Sequence, residues 1–156
     1  MQFGGQAILK NHSRMFNCSF SNVDRLEFFR EFFFLLLSGC GVGFSVQKHH
    51  IALLPALPAR AAENDLPVWH YRIDDTIEGW SDALHALFLS HYEGKLIEFD
   101  YSAIRPRGAL LRTSGGKAPG HLPLRRAFNL VSGILTQAAG RGLRPIEVYD
   151  INMFVA

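Results

Sequence analysis

The sequence predicts an α/β fold, because short extended stretches alternate with apolar helical patterns along the chain. Asn17–Phe20 reads as a strand, a helical pattern follows to Leu37, and Val42–Val46 reads as a buried strand. The order repeats with Val68–Ile73, a helix opening near Ile77, and the alternating stretch Lys95–Tyr101. The composition agrees: 156 residues at 48% hydrophobic and 19% charged suit one domain with a sizeable core.

Taken in order, residues 1–16 mix Gly4, Gly5, Asn11 and Ser13 with scattered apolar positions and read as a loop or lone strand. Asn22 is a candidate N-cap for a helix from about Asp24 to Leu37, with Asp24 in the first turn where the helix dipole favours an anion. Leu26, Phe29, Phe33, Leu36 and Leu37 form its apolar face, which Phe28, Phe32 and Leu35 widen until most of the helix must be buried. Gly39 and Gly41 end it. Lys48-His49-His50 opens a loop, and Pro55, Pro58 and Pro67 keep the next stretch irregular. Asp75-Thr76-Ile77-Glu78 resembles a capping box, and Ile77, Trp80, Leu84, Leu87 and Phe88 give the following helix its stripe. Pro123 suits the first turn of a helix to about Ala139, Gly140-Arg141-Gly142 breaks it, and Pro145 starts another through Ile146, Tyr149, Met153 and Phe154. The apolar pattern runs up to Ala156, so a truncated chain is one expectation.

A formal charge of +2 is too small for a nucleic-acid-binding protein. Arg105, Arg107, Arg112, Arg125, Arg126, Arg141 and Arg144 do gather locally, either for a phosphate ligand or as a solvated basic face. The N-terminus lacks the layout of a signal peptide, and Phe28–Leu37 is far short of a membrane span. The expectation is a cytoplasmic protein, with no membrane or nucleic-acid partner and with two reduced cysteines. The seven histidines show no metal-ligand spacing, so no metal is expected.

Three constellations invite chemistry, each with an ordinary structural reading beside it. Cys18 is either a small buried hydrophobe or a thiol in use. Gly39-Cys40-Gly41-Val42-Gly43 is either a helix C-cap and tight turn or a loop whose free N–H groups meet a phosphate or ribose. Thr113–Gly120, with Lys117 as a point charge, is either a surface loop or a mobile phosphate contact.

Four segments in register carry a resemblance: Arg14-Met15-Phe16-Asn17-Cys18-Ser19-Phe20, Ser38-Gly39-Cys40-Gly41-Val42-Gly43-Phe44-Ser45-Val46, Asp75-Thr76-Ile77-Glu78-Gly79-Trp80, and Phe99-Asp100-Tyr101-Ser102-Ala103-Ile104-Arg105-Pro106-Arg107-Gly108-Ala109. With the Gly-Gly-x-Ala-Pro-Gly-x-x-Pro-Leu stretch at 115–124, the chain resembles adenosylcobalamin-dependent (class II) ribonucleotide reductase over essentially its whole length. The resemblance implies that residues 1–156 are one segment, the first part of a ten-stranded α/β barrel. An inserted effector-region segment near 64–95 would stand in for a dimer partner, as in monomeric members. It implies radical reduction of ribonucleotides to 2′-deoxyribonucleotides, for deoxyribonucleotide biosynthesis and DNA replication. Cys18 matches a reducing cysteine on the first barrel strand that ends as half of a disulfide. Asn17, Cys40 and Gly41 match substrate-contacting positions, while Asp24, Arg25 and Lys117 fall in the effector region.

The implied partners are a ribonucleotide substrate, a deoxynucleoside triphosphate effector and a thioredoxin-like reductant, with adenosylcobalamin as the cofactor. The family's radical cysteine, second reducing cysteine and most of the cobalamin site lie on later strands than those present here. The missing C-terminal part would then be a separate chain of a split enzyme, or absent from a truncated product. The alternatives are a non-catalytic effector-binding module or an inactive fragment.

Overall fold

A computed structural model describes residues 17–111 and 116–156. The expectation for residues 1–16, and the 112–115 part of the glycine-rich loop, lie outside them. The chain is α/β. Strand β1 (Cys18–Asn22), helix α1 (Glu27–Leu37) and strand β2 (Gly41–Ser45) form a parallel crossover unit, in which Cys18 pairs with Gly41 and Asn22 with Ser45. A one-turn helix α2 (Lys48–Ile51) and a 3-10 turn (Glu63–Asp65) lead to a second unit. That unit is β3 (Val68–Arg72), α3 (Ile77–Tyr92) and β4 (Leu96–Asp100), again parallel, with Val68 opposite Leu96. Helices α4 (Leu122–Gln137) and α5 (Pro145–Val155) complete it. Among the described residues the strands form two separate two-stranded sheets, not one continuous curved sheet.

The helices hold the two units together. Phe28, Phe29, Phe32 and Phe33 of α1 are buried. Phe29 stacks on Phe88 of α3 with ring centroids 4.4 Å apart, and Arg30 pairs with Asp82 at 2.7 Å beside that contact. Phe44 of β2 meets Phe32 edge-on at 5.4 Å. Helix α4 buries Leu124, Phe128, Val131 and Leu135, a four-then-three spacing that keeps one face inward, and α5 adds Val148, Ile151 and Val155.

Three local expectations are corrected. Asn22 does not cap α1, because it is the last residue of β1 and the ladder continues through Val23 N–H to Ser45 O at 3.2 Å. The helix therefore starts at Glu27 after a tight turn, in which Phe28 N–H reaches Arg25 O. Lys48-His49-His50 is helical rather than looped, with Ile51 buried as its anchor. The start of α3 is a single cap, not a box: Thr76 Oγ1 accepts from Gly79 N–H at 2.8 Å, and the residue that should reciprocate is that glycine.

Candidate functional site

The β1–β2 sheet places four of the expected site residues together. Its register sets Cys18 beside Gly41, and Gly41 N–H donates to Asn17 O at 3.0 Å. Ser19, Val42 and Phe44 are partly covered, whereas Cys18, Phe20, Gly41 and Gly43 are exposed on the alternate positions. The result is an open strip in which a thiol and an aromatic ring face two positions without side chains. Gly43 matters sterically there: a Cβ would come within 3.3 Å of the Phe20 ring. Cys18 is a free exposed thiol.

Cys40 is the opposite case. It is free, 3% exposed, and directs its Sγ toward Gly41 O at 3.5 Å. Gly39, at φ +87°, ends α1 with a Schellman pair: Gly39 N–H donates to Leu36 O and Cys40 N–H to Leu35 O, both at 2.9 Å. Of the two readings the sequence left open for this loop, the hydrogen bonds decide for the cap. The donors of Gly39, Cys40 and Gly41 are all used inside the fold, so the C-cap reading holds.

Asp24 and Arg25 follow β1 on the turn into α1. Asp24 Oδ1 accepts from Arg25 Nη1 at 2.7 Å, and Glu31 binds the other terminal nitrogen of the same guanidinium. These hydrogen bonds, Asp24's first, hold Arg25 above its ordinary pKa. Lys117 lies elsewhere, on a hairpin where it bridges Leu110 and Ala118 N–H donates to Ala109 O at 2.7 Å. Gly120, at φ +75°, approaches Arg107 so closely that a Cβ would stand 3.1 Å from its backbone nitrogen.

The arginine cluster divides into structural and open members. Arg105 Nε binds Asp75 at 2.5 Å. Arg141 and Arg144 converge on Glu147, at 2.6 and 2.7 Å, and Arg144 backbone N–H adds a third donor at 2.8 Å. Glu147 is buried, and these donors, Arg141 first, hold its carboxyl down to about 2. Arg107 and Arg126 instead line an open cleft of about 480 Å³ with Leu122, Leu130 and Phe154.

Sequence reasoning missed a buried polar cluster at the far end of α3. His91 is 4% exposed, with Nδ1 3.3 Å from Arg60 Nη1 and Nε2 3.2 Å from Ser132 Oγ. Burial, then the Arg60 charge, pushes His91 down to about 4. Its members are 31 and 41 residues from His91 along the chain, so no spacing rule reveals them. Among the described residues, no group of three or more His, Cys, Asp or Glu side chains is placed to hold a metal ion, and no helix is long and apolar enough to cross a membrane.

Comparison with known proteins places the chain in a family. Residues 49–135 match the family model for the insertion domain of B12-dependent ribonucleotide reductase. The adenosylcobalamin-dependent ribonucleoside-triphosphate reductase of Euglena gracilis is 31% identical over 141 residues, covering 86% of this chain and 19% of that protein. The enzyme of the same name from Lactobacillus leichmannii is 30% identical over 149 residues, covering 74% of this chain and 20% of that protein. A crystal structure of a B12-dependent (class II) ribonucleotide reductase superposes with a TM-score of 0.71 at 29% identity, covering 81% of this chain and 22% of that one. The chain thus spans about a fifth of the length of the curated relatives it matches. With a family model matching more than half of its residues, the chain belongs to the B12-dependent ribonucleotide reductases.

Proposed function

We propose that this chain is the segment of an adenosylcobalamin-dependent ribonucleotide reductase that supplies the first reducing thiol and the inserted effector-region unit near 64–95. The observation that carries the reading is the exposed Cys18 thiol at the head of β1, beside Gly41, where no side chain of the described residues covers it. On this reading β1 and β2 are the first strands of the ten-stranded barrel, and residues 1–156 form one segment of it. Asn17 and Gly41 line the ribonucleotide site with the buried Cys40 behind them, while Asp24, Arg25 and Lys117 meet a deoxynucleoside triphosphate effector.

The overall reaction balances on two thiols. The 2′ C–O bond of the ribonucleotide breaks, its oxygen leaves as water, and a 2′ C–H bond takes its place. The two electrons come from Cys18 and a second cysteine, which join as a disulfide for a thioredoxin-like protein to reduce. Cys40 does not suit that second role, being buried and turned toward Gly41 O. The family resemblance puts the partner thiol on the C-terminal part of the reductase, and the complete protein would act in the cytoplasm. Adenosylcobalamin, the group named for the relatives, supplies the radical chemistry when bound. The described residues do not fit a corrinoid: the open clefts of about 500 and 480 Å³ are surface grooves rimmed by charged side chains.

The test is a chimera in which this chain replaces the matching segment of the Lactobacillus leichmannii reductase. It is expected to reduce ribonucleoside triphosphates with a dithiol reductant, and Cys18→Ser is expected to abolish turnover while effector binding persists. Turnover by the Cys18→Ser chimera at the parent rate would remove the assignment. A second reading is a nucleotide-binding module alone, resting on the exposed ion pair of Asp24 and Arg25 on the turn into α1. It requires the isolated chain to bind a deoxynucleoside triphosphate saturably, and Asp24→Ala to abolish that binding.

A further inference from the structure

The Arg60 cluster has an unbalanced charge. The segment carrying Arg60 is strapped down, since Leu57 N–H donates to Arg141 O and Gly140 N–H to Leu57 O, at 3.0 and 3.1 Å, and Tyr92 OH reaches Pro55 O at 2.7 Å. The half-buried guanidinium enters beside His91 and gives one hydrogen bond to Lys95 O at 3.0 Å. Among the described residues no carboxylate pairs with it; Glu63 acts only from a distance, and desolvation is the stronger influence on the group. A partly buried cation without a contacting anion is costly, so such a site favours an anionic occupant.

The donors converge on a cavity. Arginine can only donate, so His91 Nδ1 is the acceptor in that contact and the ring proton sits on Nε2, donating to Ser132 Oγ. That leaves the Ser132 hydroxyl proton free to point onward. Arg60, Ser132 and Asn129 line a cavity of about 70 Å³ whose other walls include Leu87 and Phe128. The space suits an ion of a few heavy atoms and excludes a nucleotide.

We propose that the cavity between Arg60, Asn129 and Ser132 binds a small monovalent anion of the chloride or formate class. The ion is held by the guanidinium and the serine hydroxyl, with the Asn129 amide at the mouth. It joins the strap to α3, β4 and α4 by neutralising the Arg60 charge they enclose. The site lies at the C-terminal end of α3, where His91 sits in the last turn, whereas Cys18 and Asp24 flank the ends of β1.

Chloride-35 NMR on the full chain tests this, with formate as competitor. The native chain should broaden the chloride line saturably, and formate should reverse the broadening. Arg60→Gln should bind about tenfold more weakly, the scale of losing a charge-assisted donor. Ser132→Ala, which leaves the Arg60 bond to Lys95 in place, should weaken binding by a smaller factor and serves as the deciding variant if Arg60→Gln fails to fold. Absence of saturable broadening in the native chain, or equal broadening in Ser132→Ala, would show that only water occupies the cavity and would overturn the proposal.

Discussion

Glu147 shows how one carboxylate can tie a helix start to the loop before it. It accepts from two guanidiniums and from the backbone of Arg144 while almost fully buried, so its folded-state pKa lies near 2 against an ordinary 4.5. A depressed carboxyl stabilises the fold above the unfolded value, and the contribution is lost as pH falls from about 4.5 through 2. Allowing for solvent around the exposed arginines, the loss is about 2 kcal/mol. His91 adds an acid-sensitive step at higher pH, because it is neutral in the fold down to about 4 but protonates near 6.5 when unfolded. Urea unfolding from pH 7 to 3 should therefore show falling stability, and Glu147→Gln should flatten the part below pH 4.5. An unchanged slope in that variant would contradict the pairing. None of this was legible in the sequence: the arginine cluster was visible, but Asp75 lies 30 residues from Arg105, and only folding reveals which arginines are already paired.

Secondary structure was far more legible. The boundaries of β3, β4 and α5 and the start of α3 fall within a residue or two of the pattern, because Pro145, the Thr76 cap and alternating apolar positions act locally. The start of α1 was missed because a tertiary ladder held Asn22 and Val23 extended where capping preference favoured a helix. The loop at 39–41 was read with both alternatives open, and backbone hydrogen bonding decided for the cap. Gly79 was part of a recognisable motif whose physical reason appears only in three dimensions: a Cβ there would stand 2.5 Å from Asp74 O. Gly79→Ala should lower stability by about 1–3 kcal/mol through that clash. Gly133→Ala, on α4 with nothing within 4 Å of the new methyl group, should instead stabilise by up to about 1 kcal/mol. Thermal melts of the two variants that moved the same way would refute the steric account.

For the whole molecule, the seam between α1 and α3 decides cohesion. Among the described residues each sheet has two strands, too few to persist unsupported in water. Phe29, fully buried and stacked on Phe88, joins the two crossover units into one core. Phe29→Ala should cost about 3–5 kcal/mol and destabilise both units in a single transition. Two separate transitions by hydrogen exchange, with only the first unit affected, would mean the units are independent. The two strands of the thiol strip were readable because extended apolar patterns act locally, but its exposure was not: Val42–Val46 reads as a buried strand, whereas Gly41 and Gly43 lie exposed beside Cys18. The Arg60 cavity was not readable either, since it is assembled from a strap, two helices and β4. The strap has a topological result as well. Its reciprocal bonds between Leu57 and the Gly140–Arg141 turn bring the entry and exit of everything between them side by side. The polypeptide leaves the first unit and returns to it through one doorway. That stretch can be excised or exchanged without lengthening the path from β2 to α5, provided something else then covers the phenylalanines that α3 now shields.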